Sequence, residues 1–297
     1  MTYGVLLALL AAVMWTGNAW AYTLAARRGL AVIPFAALAS GLGAIGALVL
    51  VDWHAPWQAQ TPRDLAWPLI ATALSGVTSA LSVIFQVKTF VLGHKGISWT
   101  VAQMAMVISF LAGVIIWREP AHGVQYAGLA AVLGAVALFM PREKGPPSAA
   151  PARASGRWLL YLLAAFAVSG MAQVFYIMPS RHEAQLCSGI RAGLLLATGA
   201  AFSGTAALLL RQGFRRAMLG PALILAVCSV LGLLFSAMSG NAFAACHLAG
   251  LVYPVATGGS VMLFALVSRF VLKETFHVAT WAAMALGIAG IVLLSTR

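Results

Sequence analysis

A stripe of polar and aromatic side chains runs along one face of the first apolar segment of the chain. Trp15, Asn18 and Tyr22 recur at steps of three and four residues, which places them on the same face of an α-helix. An amide in hydrocarbon is costly unless it is paired or faces a polar cavity, and Trp15 lies too deep for an interfacial belt of tryptophans. The stripe therefore predicts recognition of a small solute by hydrogen bonding and aromatic contact.

Five further apolar segments carry similar stripes. Their polar and aromatic residues again follow steps of three and four, so the members of each stripe share a helical face. Aromatic walls with a few amides and hydroxyls suit a compact neutral or zwitterionic solute. The candidate substrate-binding residues are Trp15, Asn18, Tyr22, Ser82, Gln86, Trp99, Gln103, Gln173, Tyr176, Ser236, Tyr253 and Thr257.

The same spacing also has a structural explanation. Close helix packing in lipid requires small residues at intervals of three or four, and Ser75 and Ser229 fit this interpretation. Asn18 and Gln103 fit either a functional or a structural hydrogen bond. Pro254 is expected to kink its segment, because it removes one backbone hydrogen bond.

Membrane-spanning helices are the elements that must position these stripes. Of the 297 residues, 62% are hydrophobic and only 8% are charged, against the roughly 25% charged residues of soluble domains. Ten apolar runs each approximate the ~20 residues that cross a ~30 Å hydrocarbon layer as a helix. These runs lie near 3–26, 30–51, 65–87, 97–117, 121–140, 158–179, 187–210, 219–241, 249–272 and 276–295. We therefore predict an all-α integral membrane protein with ten transmembrane helices.

The ten segments form a five-helix unit that occurs twice. Thr16 aligns with Ser169 and Gly96 aligns with Gly250 when the two halves are superimposed in register. Because each unit holds an odd number of spans, the second must enter the membrane from the opposite side. We therefore predict two inverted five-helix repeats around a central cavity, an arrangement characteristic of secondary transporters.

The boundary between the halves is marked by the one long polar stretch. Residues 142–157 are rich in Pro, Gly and Ser and predict a flexible linker. The predicted units are residues 1–141 and residues 158–297.

Two short segments carry a resemblance to a known family. Arg118-Glu119-Pro120-Ala121-His122 and Lys273-Glu274-Thr275-Phe276-His277 each precede a Gly- and Ala-rich final helix. In helix number, repeat length and placement of the glutamates, the chain resembles the drug/metabolite transporter superfamily, as a ten-helix carrier with two EamA-type repeats. The resemblance implies a central cavity at which helices 1, 3 and 4 face helices 6, 8 and 9, with helices 5 and 10 at the periphery.

The predicted function is secondary transport of a small polar or amphipathic metabolite, amino-acid-, sugar- or nucleoside-like, by alternating access. A lipid flippase or scramblase-like carrier is the alternative. An intramembrane enzyme is disfavoured, because the sequence lacks a Gly-x-Ser-x-Gly elbow, a His-Glu-x-x-His motif and an Asp-rich pair. We expect no cofactor, no metal and no nucleic acid. The expected partners are a small-molecule substrate and lipids, for a monomer or homodimer in the bacterial inner (plasma) membrane.

The charged residues add three expectations. All six acidic residues lie at span ends or in loops, which disfavours proton-driven export of hydrophobic cations through a mid-membrane carboxylate. Lys88, Arg191 and Arg269 are expected to reach for lipid headgroups. Glu119 and Glu274 are expected to be structural, paired with neighbouring basic residues.

The orientation of the termini is left open by two indications that disagree. Most of the 18 lysines and arginines fall in odd-numbered connections between spans, so the positive-inside rule places both termini outside. The family resemblance implies cytoplasmic termini instead.

Overall fold

The computed structural model describes residues 1–51, 62–92, 101–138, 156–181, 186–270 and 278–296. Within these ranges the chain folds into ten α-helices and three short 3-10 helices, with no β-strand. The α-helices are α1 (Thr2–Arg27), α2 (Val32–Val49), α3 (Pro62–Leu92), α4 (Met106–Ile115), α5 (Gly123–Leu138), α6 (Gly156–Ile177), α7 (Ser188–Leu209), α8 (Leu219–Ala244), α9 (Val252–Phe270) and α10 (Val278–Leu294). The 3-10 helices are Met178–Arg181, Arg216–Met218 and Ala249–Leu251. Most of the predicted linker 142–157, as well as Trp99 and Glu274, lies outside the described residues.

Seven of these helices are long and apolar enough to cross a membrane, namely α1, α2, α3, α6, α7, α8 and α9. Helices α4, α5 and α10 are apolar but shorter. Helices satisfy their own backbone hydrogen bonds, which is what a segment surrounded by lipid must do. The protein is a helical integral membrane protein.

Small residues mediate the contacts between the helices, whereas large apolar side chains point outwards. Ala8, Ala11 and Ala12 of α1 are completely buried, while Ile45 is 65% exposed and Leu208 is 72% exposed. This inside-out distribution is typical of helices in lipid, where close approach of small residues replaces the hydrophobic drive of water-soluble cores.

Helices from the first half of the chain pack mainly against helices from the second half. Helix α1 lies against α8 and α9, α2 against α7 and α8, α3 against α6 and α7, α4 against α6, and α5 against α10. Along α3 and α6 the contacts run in opposite directions, because Ser75 donates a hydrogen bond to the Ala172 carbonyl and Ser82 donates one to the Ala165 carbonyl. The two helices are therefore antiparallel.

Two helix boundaries differ from expectation. In the described part of the fourth apolar run, residues 101–103 are helical and Met104 and Ala105 form a turn, after which α4 begins. Pro254 lies in the first turn of α9, where backbone N–H groups have no partner within the helix. The expectation that Pro254 kinks its helix is therefore wrong, and the irregularity occurs in the fourth run instead.

Candidate functional site

Arg191 is the most deeply buried charged side chain of the described residues, with 1% of its surface exposed. It lies in the first turn of α7. Its Nη1 donates to Ser180 Oγ (2.9 Å) and to Asn241 Oδ1 (3.2 Å), and its Nη2 donates to the Tyr176 carbonyl oxygen. The guanidinium carbon lies 4.9 Å from the centre of the Tyr176 ring. The expectation that Arg191 reaches the lipid headgroups is therefore wrong, because its hydrogen-bond partners lie inside the helix bundle.

The partners of Arg191 in the described part of the chain are all electrically neutral. The ion pair found there joins Glu119 to Arg181 and does not involve Arg191. The Nε atom of Arg191 is buried without a hydrogen-bond acceptor among those residues. Because Tyr176 and Asn241 belong to the last turns of α6 and α8, the negative ends of two helix dipoles offset part of the charge. The result is a buried positive centre where three helices meet.

Aromatic rings form a wall beside this centre. The rings of Trp15 and Tyr253 stack with their centres 5.3 Å apart and 19° between their planes. The absence of a side chain at Gly232 makes room for Trp15, because a Cβ there would lie 2.7 Å from the indole. Tyr176 donates a hydrogen bond from its hydroxyl to the Leu233 carbonyl (2.7 Å), which fixes its ring beneath Arg191.

Tyr253 connects the stacked rings to the buried cation. It lies at the second position of α9 and is 6% exposed. It belongs to the same packed core as Tyr176, whose ring lies against Arg191, and Trp15 packs against that core. Helices α1, α6, α7, α8 and α9 thus contribute to one cluster of aromatic and polar groups, which we call the Arg191 cluster: Trp15, Tyr176, Ser180, Arg191, Asn241 and Tyr253.

Glu119 forms a second buried polar contact. Its partners Arg181, Ala249 and Gly250 are close in sequence to Ser180 and Tyr253 of the Arg191 cluster. Its two carboxylate oxygens accept hydrogen bonds from the backbone N–H groups of Ala249 (2.8 Å) and Gly250 (2.9 Å), directly before α9. One of these oxygens lies 3.7 Å from Nη1 of Arg181. Glu119 therefore holds the start of α9 in place from the α4–α5 connection, as a carboxylate at a helix N-terminus does.

The remaining predicted site residues of α1 lie on separate contacts. Asn18 Oδ1 accepts a hydrogen bond from Ser229 Oγ (3.4 Å), which joins α1 to α8. Tyr22 packs edge-on against Phe35, with ring centres 5.6 Å apart. Both side chains are half-buried. Of the α1 stripe, Trp15 belongs to the Arg191 cluster, whereas Asn18 and Tyr22 make these separate contacts.

The other predicted residues bond mostly to backbone or lie apart. Ser82 donates to α6, as described above, and Ser236 donates to the Gly232 carbonyl of its own helix (2.7 Å). Thr257 is buried and its carbonyl accepts a hydrogen bond from Ser260 Oγ (2.9 Å). The half-buried Gln173 has a side-chain oxygen that lacks a hydrogen-bond donor within the described ranges. Gln86 and Gln103 are half-buried, and Trp99 lies outside the described residues.

The sequence did not identify Arg191, Ser180 and Asn241 as members of a site. The available signal was an arginine inside an apolar segment, which has a functional as well as a snorkelling interpretation. The hydrogen bond from Arg191 to Asn241 joins positions 50 residues apart, and no spacing rule could anticipate it.

A lateral groove lies between α3 and α7, and the described residues that line it do not include members of the Arg191 cluster. It has a volume of about 410 Å³, and its walls are mostly apolar. Val77, Thr198, Phe202 and Leu209 are among the residues that line it. None of the predicted site residues belongs to this groove.

The fold resembles solved structures. One of them, described as "Crystal structure of protein", matches 99% of this chain and 97% of its own chain with a TM-score of 0.78 and 17% sequence identity. It is one of 28 solved chains that match. At this identity the likeness shows the fold alone. No protein-family profile and no curated protein matches the chain.

Proposed function

We propose that the protein is a secondary transporter that moves a small polar or amphipathic metabolite by alternating access. In this proposal ten helices span the membrane as two inverted five-helix repeats, and the substrate binds where the repeats meet. The bacterial inner membrane is the proposed location. The segments around Glu119 and Glu274, which resemble those of EamA-type repeats, provide independent support.

The pattern of helix contacts supports an internal repeat. The counterpart of each helix is the one five places later or earlier in the chain. Under this exchange the α1–α8 contact corresponds to the α6–α3 contact, and the α2–α8 contact corresponds to the α7–α3 contact. The contact of α1 with α9 becomes that of α6 with α4, and the pairs α2–α7 and α5–α10 exchange into themselves. A chain without an internal repeat has no reason to show this exchange symmetry.

The direction of the contacts supports the inverted arrangement. Gly4 lies against Ala242 and Gly17 lies against Cys228, so α1 and α8 are antiparallel, as α3 and α6 are. If the two repeats had the same orientation in the membrane, α1 would be parallel to α8. Transporters with inverted repeats bind their substrates at the repeat interface.

The observation that carries the proposal is the position of the Arg191 cluster. It gathers a buried cation, a half-buried amide and a stacked aromatic pair from α1 and from four helices of the second half. Ionisable residues within membrane-spanning helices are rare and usually functional, and Arg191 is buried in the first turn of such a helix. Transport of a solute gives this cluster a purpose.

The lateral groove favours one alternative, a lipid flippase or scramblase-like carrier. Its apolar walls between α3 and α7 suit an acyl chain better than a polar solute. In that case a lipid with a labelled headgroup, and not a water-soluble solute, would be moved.

Exchange across liposomes tests the function. Purified protein in liposomes is expected to exchange at least one solute from a panel of labelled amino acids, sugars and nucleosides. We expect Trp15→Ala to lower that exchange about tenfold, because a lost aromatic contact of ~1.5 kcal/mol corresponds to roughly this factor. The folded yield of this variant should be unchanged.

Trp20→Ala is the matched control for the Trp15 variant. Trp20 lies in the same helix and is 39% exposed on its outer face, so its loss should leave exchange unchanged. Full exchange by Trp15→Ala would contradict the proposed site. Transbilayer movement of labelled lipid without exchange of any solute would favour the flippase alternative.

A further inference from the structure

Among the described residues Arg191 has no anionic partner, and one of its N–H donors has no hydrogen-bond acceptor. Three of its donor contacts end on neutral oxygens of Ser180, Asn241 and Tyr176, and its Nε has no acceptor in the described part of the chain. A buried cation is normally paired with an anion, because hydrogen bonds to neutral groups alone do not offset the free-energy cost of its desolvation. The helix ends of α6 and α8 contribute partial charges of about 0.5 each, which lowers this imbalance without supplying an anion.

We propose that Arg191 binds the carboxylate of the transported substrate, which is therefore a small organic acid or an amino acid. This inference rests on the proposed transport function and narrows it. Sugars and uncharged nucleosides are excluded by it. The anion accepts a hydrogen bond from the Nε–H of Arg191 and supplies a negative charge that the described residues around it lack.

The chemistry of the guanidinium favours a carboxylate. A carboxylate can accept the Nε–H with one oxygen and an Nη–H with the other, in the side-on fork that makes arginine a preferred ligand for planar anions. The neutral contacts of Ser180, Asn241 and the Tyr176 carbonyl are made by the two Nη atoms and leave the Nε–H for the anion. Because these contacts come from three helices, the orientation of Arg191 is fixed before an anion binds.

The walls of the cluster indicate what the carboxylate is attached to. The centre of the Tyr176 ring lies 4.9 Å from the guanidinium carbon, and the stacked Trp15 and Tyr253 rings belong to or pack against the same core as Tyr176. The Tyr176 hydroxyl is occupied by the Leu233 carbonyl and does not compete for the anion. An acid with an apolar or aromatic part gains contact with these rings, so it should bind better than acetate.

A thermal unfolding experiment on the purified full-length protein tests the inference. The probes are acetate, benzoate, leucine and phenylalanine, each beside its primary amide, and inorganic phosphate. Because ligands raise the unfolding midpoint by binding the folded state, we expect benzoate, leucine or phenylalanine to raise it saturably. The matching amide should bind about tenfold more weakly or not at all, since it lacks the charge.

Two variants of Arg191 connect the effect to this side chain. Arg191→Gln should abolish the preference for the acid over its amide, and Arg191→Lys should retain a weaker preference, because it keeps the charge and loses the fork. Arg181→Gln is the matched control. Because Arg181 already has Glu119 as its anionic partner, this substitution should not change the preference for the acid over its amide. If Arg191→Gln does not fold, the wild-type comparison and Arg191→Lys still decide the question.

Three results would overturn the inference. The first is a wild-type protein that no acid stabilises more than its amide, and the second is an acid preference that survives in Arg191→Gln. The third is an Arg191-dependent stabilisation by inorganic phosphate or by vesicles of anionic lipid but not by the carboxylates, which would assign the site to a phosphate group.

The inference and the proposed function fail in different ways. Exchange of neutral solutes in liposomes without any acid preference would support the transport function and contradict the carboxylate site. Arg191-dependent binding of an acid that does not cross the liposome membrane would support the carboxylate site and contradict transport.

Discussion

Replacement of Glu119 by alanine is expected to destabilise the protein by about 3 kcal/mol. The substitution leaves the N–H groups of Ala249 and Gly250 without acceptors in a place where Glu119 itself is only 6% exposed. An unsatisfied buried donor costs about 1–3 kcal/mol, and the loss of one partner of a buried ion pair costs about 3–5 kcal/mol. We use the lower end, because the Arg181 side chain is 21% exposed and water can partly replace its partner. Unfolding of the purified protein by heat or denaturant measures the effect.

Glu119→Gln is the control for this prediction. Its side-chain oxygen can accept one of the two N–H bonds, and its NH₂ group cannot accept the other or pair with Arg181. The free energy of unfolding of Glu119→Gln should therefore lie between those of wild type and Glu119→Ala. An alanine variant within about 0.5 kcal/mol of wild type, the range of ordinary surface substitutions, would show that Glu119 does not hold α9 in place.

Gly76→Ala is expected to have an effect of similar size at the crossing of α3 and α7. A Cβ at this position would overlap Thr198 Oγ1 and the carbonyl oxygen of Leu195. Thr198 can move only by breaking its hydrogen bonds to Ala73 (3.2 Å) and Leu194 (2.9 Å), and the Leu195 carbonyl is backbone. Overpacking of this kind costs about 1–3 kcal/mol, and we expect the upper end because a backbone atom is involved.

Gly204→Ala provides the matched control on α7. A Cβ at Gly204 meets no atom within 4 Å, so the substitution adds a methyl group without a clash. Alanine favours helix more than glycine does, by about 1 kcal/mol in water, so Gly204→Ala should be neutral or mildly stabilising. Equal unfolding midpoints for Gly76→Ala and Gly204→Ala would contradict the close approach of α3 and α7.

The helical class of the fold follows from the sequence because its cause is local. An apolar run of sufficient length has to be a helix in lipid, so runs such as 219–241 predict helices such as α8 within a few residues. The break at Met104 and Ala105 could not be predicted in this way. Neither residue is a Gly or Pro, so the break has no local sequence signal.

The start of α9 shows why Pro254 does not produce the predicted kink. Glu119, more than a hundred residues earlier, binds the backbone before α9 and fixes where that helix begins. Seen without this contact, Pro254 lies inside an apolar run and predicts a kink. Seen with it, Pro254 lies in a first turn, where its missing N–H is harmless.

The candidate site was predictable only in part. Trp15, Tyr176 and Tyr253 share helical faces with polar residues, and this spacing identified them. Spacing within a helix could not separate them from Ser82, which bonds to the backbone of α6, as expected of a packing residue. Which residues gather around Arg191 depends on contacts between helices that are far apart in the chain.

Cysteine cross-linking between α1 and α8 tests the central claim, that the two halves of the chain pack in inverted orientation. Added Cβ atoms at Gly4 and Gly17 would lie 3.4 Å from the Cβ atoms of Ala242 and Cys228, close to the separation in disulfides. Gly17→Cys with the native Cys228, and Gly4→Cys with Ala242→Cys, are tested in chains whose other cysteines are replaced by serine. After oxidation, cleavage at a protease site placed in 142–157 shows whether the halves remain joined.

We predict that both of these pairs keep the halves joined under non-reducing conditions. The exchanged pairs, Gly4→Cys with Cys228 and Gly17→Cys with Ala242→Cys, should release them. Joined halves in the exchanged pairs, or released halves in every pair, would contradict the inverted arrangement.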